Sequence, residues 1–192
     1  MIVCAASNNA GKLKELRRIL ERMGHEVKSL RDLGIDLDPE ETGTTFAENA
    51  RIKAEAFCKA SGLPTVAECG GFLYLGRTLQ DADGTPHPMA GVLPGQGFKV
   101  GRLVRFGYAR LTARADSMLF RAGERLPVHE FHHWDSTDNG TGFTAAKPNG
   151  KQWDCGFANE HFYAGFPHLY WAGTPLPQRF AAAAENYRRD HD

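Results

Sequence analysis

The chain has 192 residues, of which 42% are hydrophobic, and its 23 basic residues balance 23 acidic ones. This size suits one globular domain with a buried core, and the zero net charge disfavours a general nucleic-acid-binding or anionic-membrane surface. No run of about 20 apolar residues is present, so we expect no membrane partner. The four cysteines are scattered, with no C-x-x-C pair and no signal-peptide pattern ahead of them, which is typical of reduced thiols in a cytoplasmic protein.

The first third of the chain predicts alternating strands and helices. Apolar runs indicate strands over 2–6, 25–30 and 63–67. Helical spacing of apolar residues predicts helices over 12–23 and 46–60. This order is typical of a parallel sheet covered by helices.

From residue 68 onward the pattern changes to one dominated by strands. We expect one α/β domain over residues 1–192, with a mostly parallel sheet flanked by helices and an added antiparallel portion. Two separate domains would each be too small for a core of their own. The predicted elements are a helix over 72–79, strands over 89–93, 103–112, 117–120, 128–134 and 156–163, and a final helix over 177–189.

A candidate phosphate site lies near the start of the chain. Ser7, Asn9 and Lys12 lie between a predicted strand and a helix N-terminus, where free N–H groups favour phosphate. The stretches AASNNAGKLKEL and EETGTTFAENARIKAEA resemble the amino-terminal part of the inosine triphosphate pyrophosphatase family. That resemblance covers residues 1–67. It implies that Lys12 and Lys53 contact the triphosphate of a purine nucleotide and that Glu41 binds Mg²⁺.

One part of that family's site is replaced in this chain. The next motif of the family is a strand ending in Asp-Asp-Ser-Gly, whose second Asp binds the metal and activates water. Here the matching residues are Glu68, Cys69, Gly70 and Gly71. Because Mg²⁺ prefers oxygen ligands, a cysteine is a poor replacement. This half therefore predicts nucleotide binding with little turnover.

The remainder of the chain carries a second pattern. An apolar strand leads into Glu68-Cys69-Gly-Gly71 and then a helix, which predicts a tight turn with an exposed thiol. Together with PMAGVLPG, HEFHHWD and GFPHLYWAGTP, the stretch AECGGFLYLG resembles the class I-like glutamine amidotransferase part of cobyrinic acid a,c-diamide synthase. The resemblance implies an α/β amidotransferase fold, Cys69 as nucleophile, His168 as acid and base, and the N–H of Gly70 as an oxyanion donor.

Several parts expected of such an enzyme are absent from the sequence. Tyr170 stands where many class I glutaminases carry a glutamate, and the family's Gly-Gly-Tyr-Pro-Glu oxyanion loop does not occur. We therefore expect impaired glutaminase activity, for which no cofactor is needed. No G-x-x-x-x-G-K-[ST] motif is present either, so amide synthesis requires a separate ATP-binding synthetase domain.

The segment from His129 to His133 matches H-E-x-x-H, a zinc-protease pattern that works only on a helix. Its surroundings favour a strand, on which the two histidines lie about 13 Å apart, too far for one zinc ion. We therefore reject the zinc-protease interpretation.

Three interpretations of the whole chain remain open. The first is a glutaminase-like domain acting on glutamine. The second is a nucleotide-binding remnant of a pyrophosphatase, which requires Mg²⁺ and a purine nucleoside triphosphate. The third is a folded chimera without activity, whose two parts join near residue 67.

Overall fold

The computed structural model describes residues 2–5, 10–24, 26–29, 32 and 64–191. The predicted helix over 46–60 lies outside the described residues, and so do Ser7, Asn9, Glu41 and Lys53 together with the side chain of Lys12.

The amino-terminal segment has two parallel strands connected through a helix. Strand β1 (Ile2–Ala5) pairs with β2 (Glu26–Ser29). Helix α1 (Ala10–Leu20) continues into a 3-10 turn (Glu21–Met23) and stops at Gly24, whose φ of 81° is left-handed. Glycine takes that conformation without steric cost, which is why it ends helices so often.

These elements confirm the first strand, the first helix and the second strand predicted from the sequence. Among their described side chains, Leu20 and Val27 are buried, and Leu13 and Met23 pack against them.

From residue 64 onward the chain consists mainly of strands. In chain order its elements are β3 (Thr65–Glu68), α2 (Gly70–Leu75), β4 (Thr78–Gln80), β5 (Pro86–Pro88), β6 (Gln96–Ala113), β7 (Arg125–Ser136), β8 (Phe143–Ala146), β9 (Gln152–Cys155), β10 (Phe157–Ala158), β11 (Phe162–Gly165), β12 (His168–Leu169) and α3 (Leu176–His191).

A three-stranded sheet joins the two parts of the sequence. Strand β3 pairs in parallel with β11, which pairs antiparallel with β10. The predicted strand over 156–163 is thus two strands, because the chain reverses at Asn159. The N–H of Asn159 donates to the carbonyl of Phe162 at 3.0 Å, and its side-chain oxygen accepts from the N–H of His161.

The larger sheet is mostly antiparallel and runs in the order β12-β7-β6-β4-β5, with β8 on β6 and β9 on β8. Strands β6 and β7 contain the predicted strands 103–112 and 128–134, and both are longer than expected. Their register shifts near Val104, as at a β-bulge, which bends the pair. The antiparallel portion therefore accounts for most of the described pairings.

Helix α2 is shorter than the sequence predicted. It ends at Leu75, Gly76 is extended, and β4 follows. The loop after β5 supplies donors for the last helix carbonyls. The N–H of Ala90 donates to Tyr74 at 3.0 Å and that of Leu93 to Leu75 at 2.8 Å. The predicted strand over 89–93 is therefore wrong, since this backbone caps a helix instead of joining a sheet.

The predicted strand over 117–120 is also wrong. The N–H of Ser117 donates to the carbonyl of Phe120 at 2.8 Å, which closes a turn. The apolar run reflects burial of this turn in the main core and not a sheet. The buried residues of that core are Ala109, Leu111, Ala113, Met118, Leu119, Phe120, Leu126, Val128, Phe143, Ala145, Cys155, Tyr163, Leu169 and Leu176.

Helix α3 confirms the predicted final helix and contacts the 117–124 turn. Its residues Leu176 and Ala181 are buried. Arg179 donates through Nη1 to the carbonyl of Leu119 at 2.8 Å and to the Glu124 carboxylate at 2.5 Å. Within the described part of the chain, no helix has both the length and the apolar character needed to cross a membrane.

Candidate active site

Cys69 lies at the turn between β3 and α2 with an unusual backbone conformation. Its φ of 52° is positive, and together with a ψ of −105° it places the residue outside the regions that a side chain favours. The turn is fixed on both sides: the N–H of Cys69 donates to the carbonyl of Gly165 at 2.9 Å, and its carbonyl accepts from Leu73 at 3.0 Å. A strained strand-to-helix turn that presents a half-buried thiol is the geometry of a nucleophile elbow.

His168 lies beyond the carboxyl end of the strand that neighbours β3. The parallel register pairs Glu68 with Gly165, so β3 and β11 end at the same edge of the sheet. Three residues later His168 begins β12, where it pairs with His129 of β7. The structure therefore places both predicted catalytic residues, Cys69 and His168, at this edge.

The turn that carries His168 is held by buried aromatic residues. The Tyr163 hydroxyl donates to the carbonyl of Pro167 at 3.0 Å. Complete burial, followed by the charge of Glu68, raises the pKa of Tyr163 well above its usual value, so it stays a neutral donor. The Phe166 ring stacks on His132, with centroids 3.8 Å apart.

Glu68 makes two contacts with the His168 segment. Its Oε1 accepts a hydrogen bond from the N–H of Leu169 at 3.1 Å. Its Oε2 lies 3.8 Å from Nδ1 of His168, within ion-pair distance. Sequence reasoning missed these contacts, because the residues are far apart along the chain. The one available signal was that an acidic residue directly precedes the candidate nucleophile.

Gly70 is the first residue of α2, so its N–H has no acceptor within the helix. A Cβ built on Gly70 meets no atom within 4 Å, whereas one on Gly71 lies 3.6 Å from the Cβ of Ala67. The first glycine thus borders open space, and the second allows close packing of α2 on β3. The position of Gly70 suits a donor to an oxyanion that forms next to Cys69.

Tyr170 pairs with another tyrosine at the protein surface. The neighbouring Tyr108 side chain raises the pKa of Tyr170. Both rings are exposed, at 50% and 65%. The ring of His129 packs edge-on against Tyr108, with centroids 5.0 Å apart.

The H-E-x-x-H segment lies within β7, which confirms the predicted strand. Its residues alternate between the two faces of the sheet, with Glu130 and His132 buried. Glu130 accepts from His132 at 2.9 Å and from Arg105 at 3.2 Å through the same oxygen. Among the described residues, no group of three or more His, Cys, Asp or Glu side chains is arranged to hold a metal ion.

The second described thiol, Cys155, has a different environment. It is only 3% exposed, and burial raises its pKa to about 12. It is therefore a packed core residue that behaves as a small hydrophobe. Cys58 and the side chain of Cys4 lie outside the described residues.

The Mg²⁺ that the pyrophosphatase resemblance implies does not fit the described end of β3. Cys69 occupies the metal-binding position of that motif. The preceding carboxylate, Glu68, contacts Leu169 and His168 instead. We derive no metal-assisted step at this position.

The comparison with protein families agrees with this geometry. The model of the CobB/CobQ-like glutamine amidotransferase domain matches residues 40–175. The chain belongs to this family. The model of the Ham1 family matches residues 3–74, so both matches include β3.

Individual relatives of both kinds match this chain. Hydrogenobyrinate a,c-diamide synthase of Thermobifida fusca is 38% identical over 135 residues, which cover 67% of this chain and 27% of that protein. The dITP/XTP pyrophosphatase of Rhizobium meliloti is 53% identical over 66 residues, 34% of this chain and 30% of that protein. The chain spans less than half the length of the synthases it matches.

Solved structures support the predicted fold. A Thermoplasma acidophilum protein, described as a subunit of GMP synthase, superposes on this chain with a TM-score of 0.60 at 13% identity. The match covers 100% of this chain and 97% of that one. The α/β fold of the amidotransferase type is confirmed, with an antiparallel portion that is larger than the sequence predicted.

Proposed function

We propose that the chain is a glutaminase domain in which Cys69 is the nucleophile and His168 the general acid and base. The observation that supports this most is the strained backbone of Cys69 at the β3–α2 turn. A sparsely populated positive-φ conformation at a cysteine costs about 1–3 kcal/mol, and such residues cluster at functional sites. The neighbouring parallel strand, β11, leads directly to a histidine.

The reaction follows from these groups. The Cys69 thiolate attacks the side-chain carboxamide carbon of glutamine, forming a C–S bond and an oxyanion that the N–H of Gly70 stabilises. His168 transfers a proton to the amide nitrogen, the C–N bond breaks and ammonia leaves. Water, deprotonated by His168, then cleaves the thioester to give glutamate and the free thiol.

We infer that the chain alone turns over slowly. We assign one oxyanion donor, the N–H of Gly70. The Gly-Gly-Tyr-Pro-Glu loop, which supplies a second donor in the family, does not occur in the sequence. Loss of one such donor typically reduces kcat by about 10²–10³-fold.

We propose that a separate ATP-dependent synthetase domain uses the ammonia that this chain releases. The relatives named as diamide synthases are more than twice as long as the part this chain matches. The chain itself has no phosphate-binding P-loop with which to activate a carboxylate. Corrinoid amidation by this chain alone is therefore expected to be undetectable.

An ammonia-release assay with glutamine tests the glutaminase proposal. The parent chain is compared with Cys69→Ala and with Cys155→Ala as the matched control. Slow release that Cys69→Ala abolishes and Cys155→Ala retains supports the proposal. Equal background from the parent and Cys69→Ala contradicts it and favours the inactive chimera.

A second proposed function is nucleotide binding by the amino-terminal segment, and the 53% identity to a dITP/XTP pyrophosphatase favours it. Hydrolysis is not part of this proposal, because Cys69 replaces the carboxylate that binds metal in that family.

A further inference from the structure

We propose that Glu68 is the positioning residue for His168 and supplies the carboxylate that Tyr170 cannot. This inference rests on the proposed glutaminase function, in which His168 moves protons to and from the substrate. The carboxylate of the site then belongs to Glu68, the residue directly before the nucleophile Cys69. The three residues Glu68, Cys69 and His168 then form one catalytic unit.

The contacts of Glu68 fix both of its oxygens. Oε1 accepts from the N–H of Leu169 at 3.1 Å, which ties the carboxylate to the residue after His168. Oε2 lies 3.8 Å from Nδ1 of His168. Glu68 is only 19% exposed at its side chain, so competition from solvent is limited. The parallel pairing of Glu68 with Gly165 holds the two segments in register.

The other ionisable side chains near His168 make their contacts with other groups. Tyr170 is half exposed at the surface, next to the exposed Tyr108. On β7, His129 pairs across from His168, and its ring packs on Tyr108. Glu130 and His132 belong to the opposite, buried face of β7 and bind each other. Among these groups, Glu68 is the carboxylate that meets the His168 ring.

A carboxylate beside Nδ1 has a defined chemical effect. It favours the neutral tautomer that carries its hydrogen on Nδ1, which leaves Nε2 free to accept a proton. It also stabilises the imidazolium that forms during turnover. The 3.8 Å separation is longer than a hydrogen bond, and such contacts commonly shorten when substrate binds.

The first measurement is independent of turnover. Imidazole ¹⁵N spectra of the full-length chain report the tautomer of His168, whose signals are assigned with His168→Gln. We expect the Nδ1–H form in the parent chain and a clear loss of its preference in Glu68→Gln. The amide oxygen of the glutamine can still accept from Leu169, so the fold should be retained. An unchanged tautomer in Glu68→Gln overturns the proposal.

The second measurement uses glutamine hydrolysis. Glu68→Gln should lower kcat by roughly 10-fold or more with little change in KM, since the residue acts through His168. Glu68→Asp should recover part of the loss because it restores the charge. Tyr170→Phe is the control and should keep kcat within about twofold of the parent. A parent-like kcat in Glu68→Gln also overturns the proposal.

The two measurements separate failure of this inference from failure of the proposed function. If the parent and Cys69→Ala both lack activity, the glutaminase proposal fails and the tautomer alone decides the role of Glu68. If the parent is active and the tautomer and kcat of Glu68→Gln match it, only the Glu68 inference fails.

Discussion

At the scale of single residues, the two described thiols differ in both backbone and surroundings. Cys69 lies half-buried at a strained turn, and Cys155 is enclosed by the main core. The thiolate is the reactive form of cysteine, and burial keeps Cys155 protonated by raising its pKa to about 12.

We predict that limited alkylation with iodoacetamide at neutral pH labels Cys69 well before Cys155. At about pH 9 the Cys155 thiol should still resist labelling, because this pH is far below its pKa of about 12. Peptide mapping by mass spectrometry gives the order of labelling. Faster labelling of Cys155 than of Cys69 in the folded chain would contradict the described burial, and a urea-unfolded sample controls for intrinsic reactivity.

The sequence was sufficient to propose Cys69, Gly70 and His168, because each lies in a short motif with a recognisable chemistry. It was not sufficient to propose the contact of Glu68 with His168. That contact depends on the pairing of β3 with β11, two strands that lie far apart along the chain, and local side-chain periodicity does not identify which distant strand is the partner.

At the scale of elements, the glycines at the two ends of α2 differ in the space available for a side chain. A Cβ on Gly76 would lie 2.8 Å from the carbonyl oxygen of Gly95, which is backbone and cannot move aside cheaply. A Cβ on Gly70 meets open space.

We therefore predict that Gly76→Ala lowers the free energy of unfolding by about 1–3 kcal/mol. The matched variant Gly70→Ala should be neutral or stabilising by up to about 1 kcal/mol, because alanine favours a helix. Urea denaturation of both variants measures the difference. Equal stability of the two variants would show that the Gly76–Gly95 approach is looser than described.

The attachment of α3 depends on the ion pair of Arg179 with Glu124. Partial burial raises the pKa of Glu124, but hydrogen bonds from Arg179 and from the N–H of Arg121 outweigh it, and the net shift is downward from 4.5. A lowered carboxyl pKa contributes stability above the unfolded value, and this contribution is lost as the pH falls through the folded value.

Glu124→Gln should accordingly cost about 1 kcal/mol at neutral pH. The difference from the parent should shrink below about pH 4.5 and vanish in stronger acid, where both side chains are neutral. Denaturation series at several pH values test this, with the exposed Glu160→Gln as control. A cost that stays constant into strong acid would mean that the ion pair is not its source.

The elements that the sequence predicted well are those whose apolar residues recur at a regular spacing in the sequence, such as α1, α3 and the central parts of β6 and β7. The misassigned segments, 89–93 and 117–120, are apolar because they are buried turns. Their backbone donors bind helix carbonyls or close a turn, as with Leu93 on Leu75 and Ser117 on Phe120. Composition alone does not separate such turns from short strands.

At the scale of the whole molecule, the two matched families meet within one structural unit. Strand β3 lies where the two matched ranges overlap, and its partner β11 lies in the amidotransferase-like range alone. The three-stranded sheet therefore includes the segment that both families match.

For the amino-terminal part we predict weak binding of inosine triphosphate in the presence of Mg²⁺ with negligible release of pyrophosphate. Positive charge from Lys12 and Lys53 favours the phosphates, while Cys69 replaces a metal-binding carboxylate. Calorimetry measures binding, and a coupled pyrophosphate assay measures turnover; Lys53→Gln should weaken binding, with Lys151→Gln as control. No heat change would reject the site, and rapid pyrophosphate release would reject the assigned role of Cys69.

The parallel pairing of Thr65 with Phe162 also bears on how the protein is made. Residues this distant in sequence meet late in folding, because closing so long a loop costs entropy that nearby contacts must first offset. During synthesis, β3 leaves the ribosome well before β11 exists. The strained turn that exposes Cys69 depends on the Gly165 carbonyl, so an unfinished chain holds this cysteine as an ordinary thiol. The reactivity proposed for Cys69 is then acquired only after β11 has been synthesised.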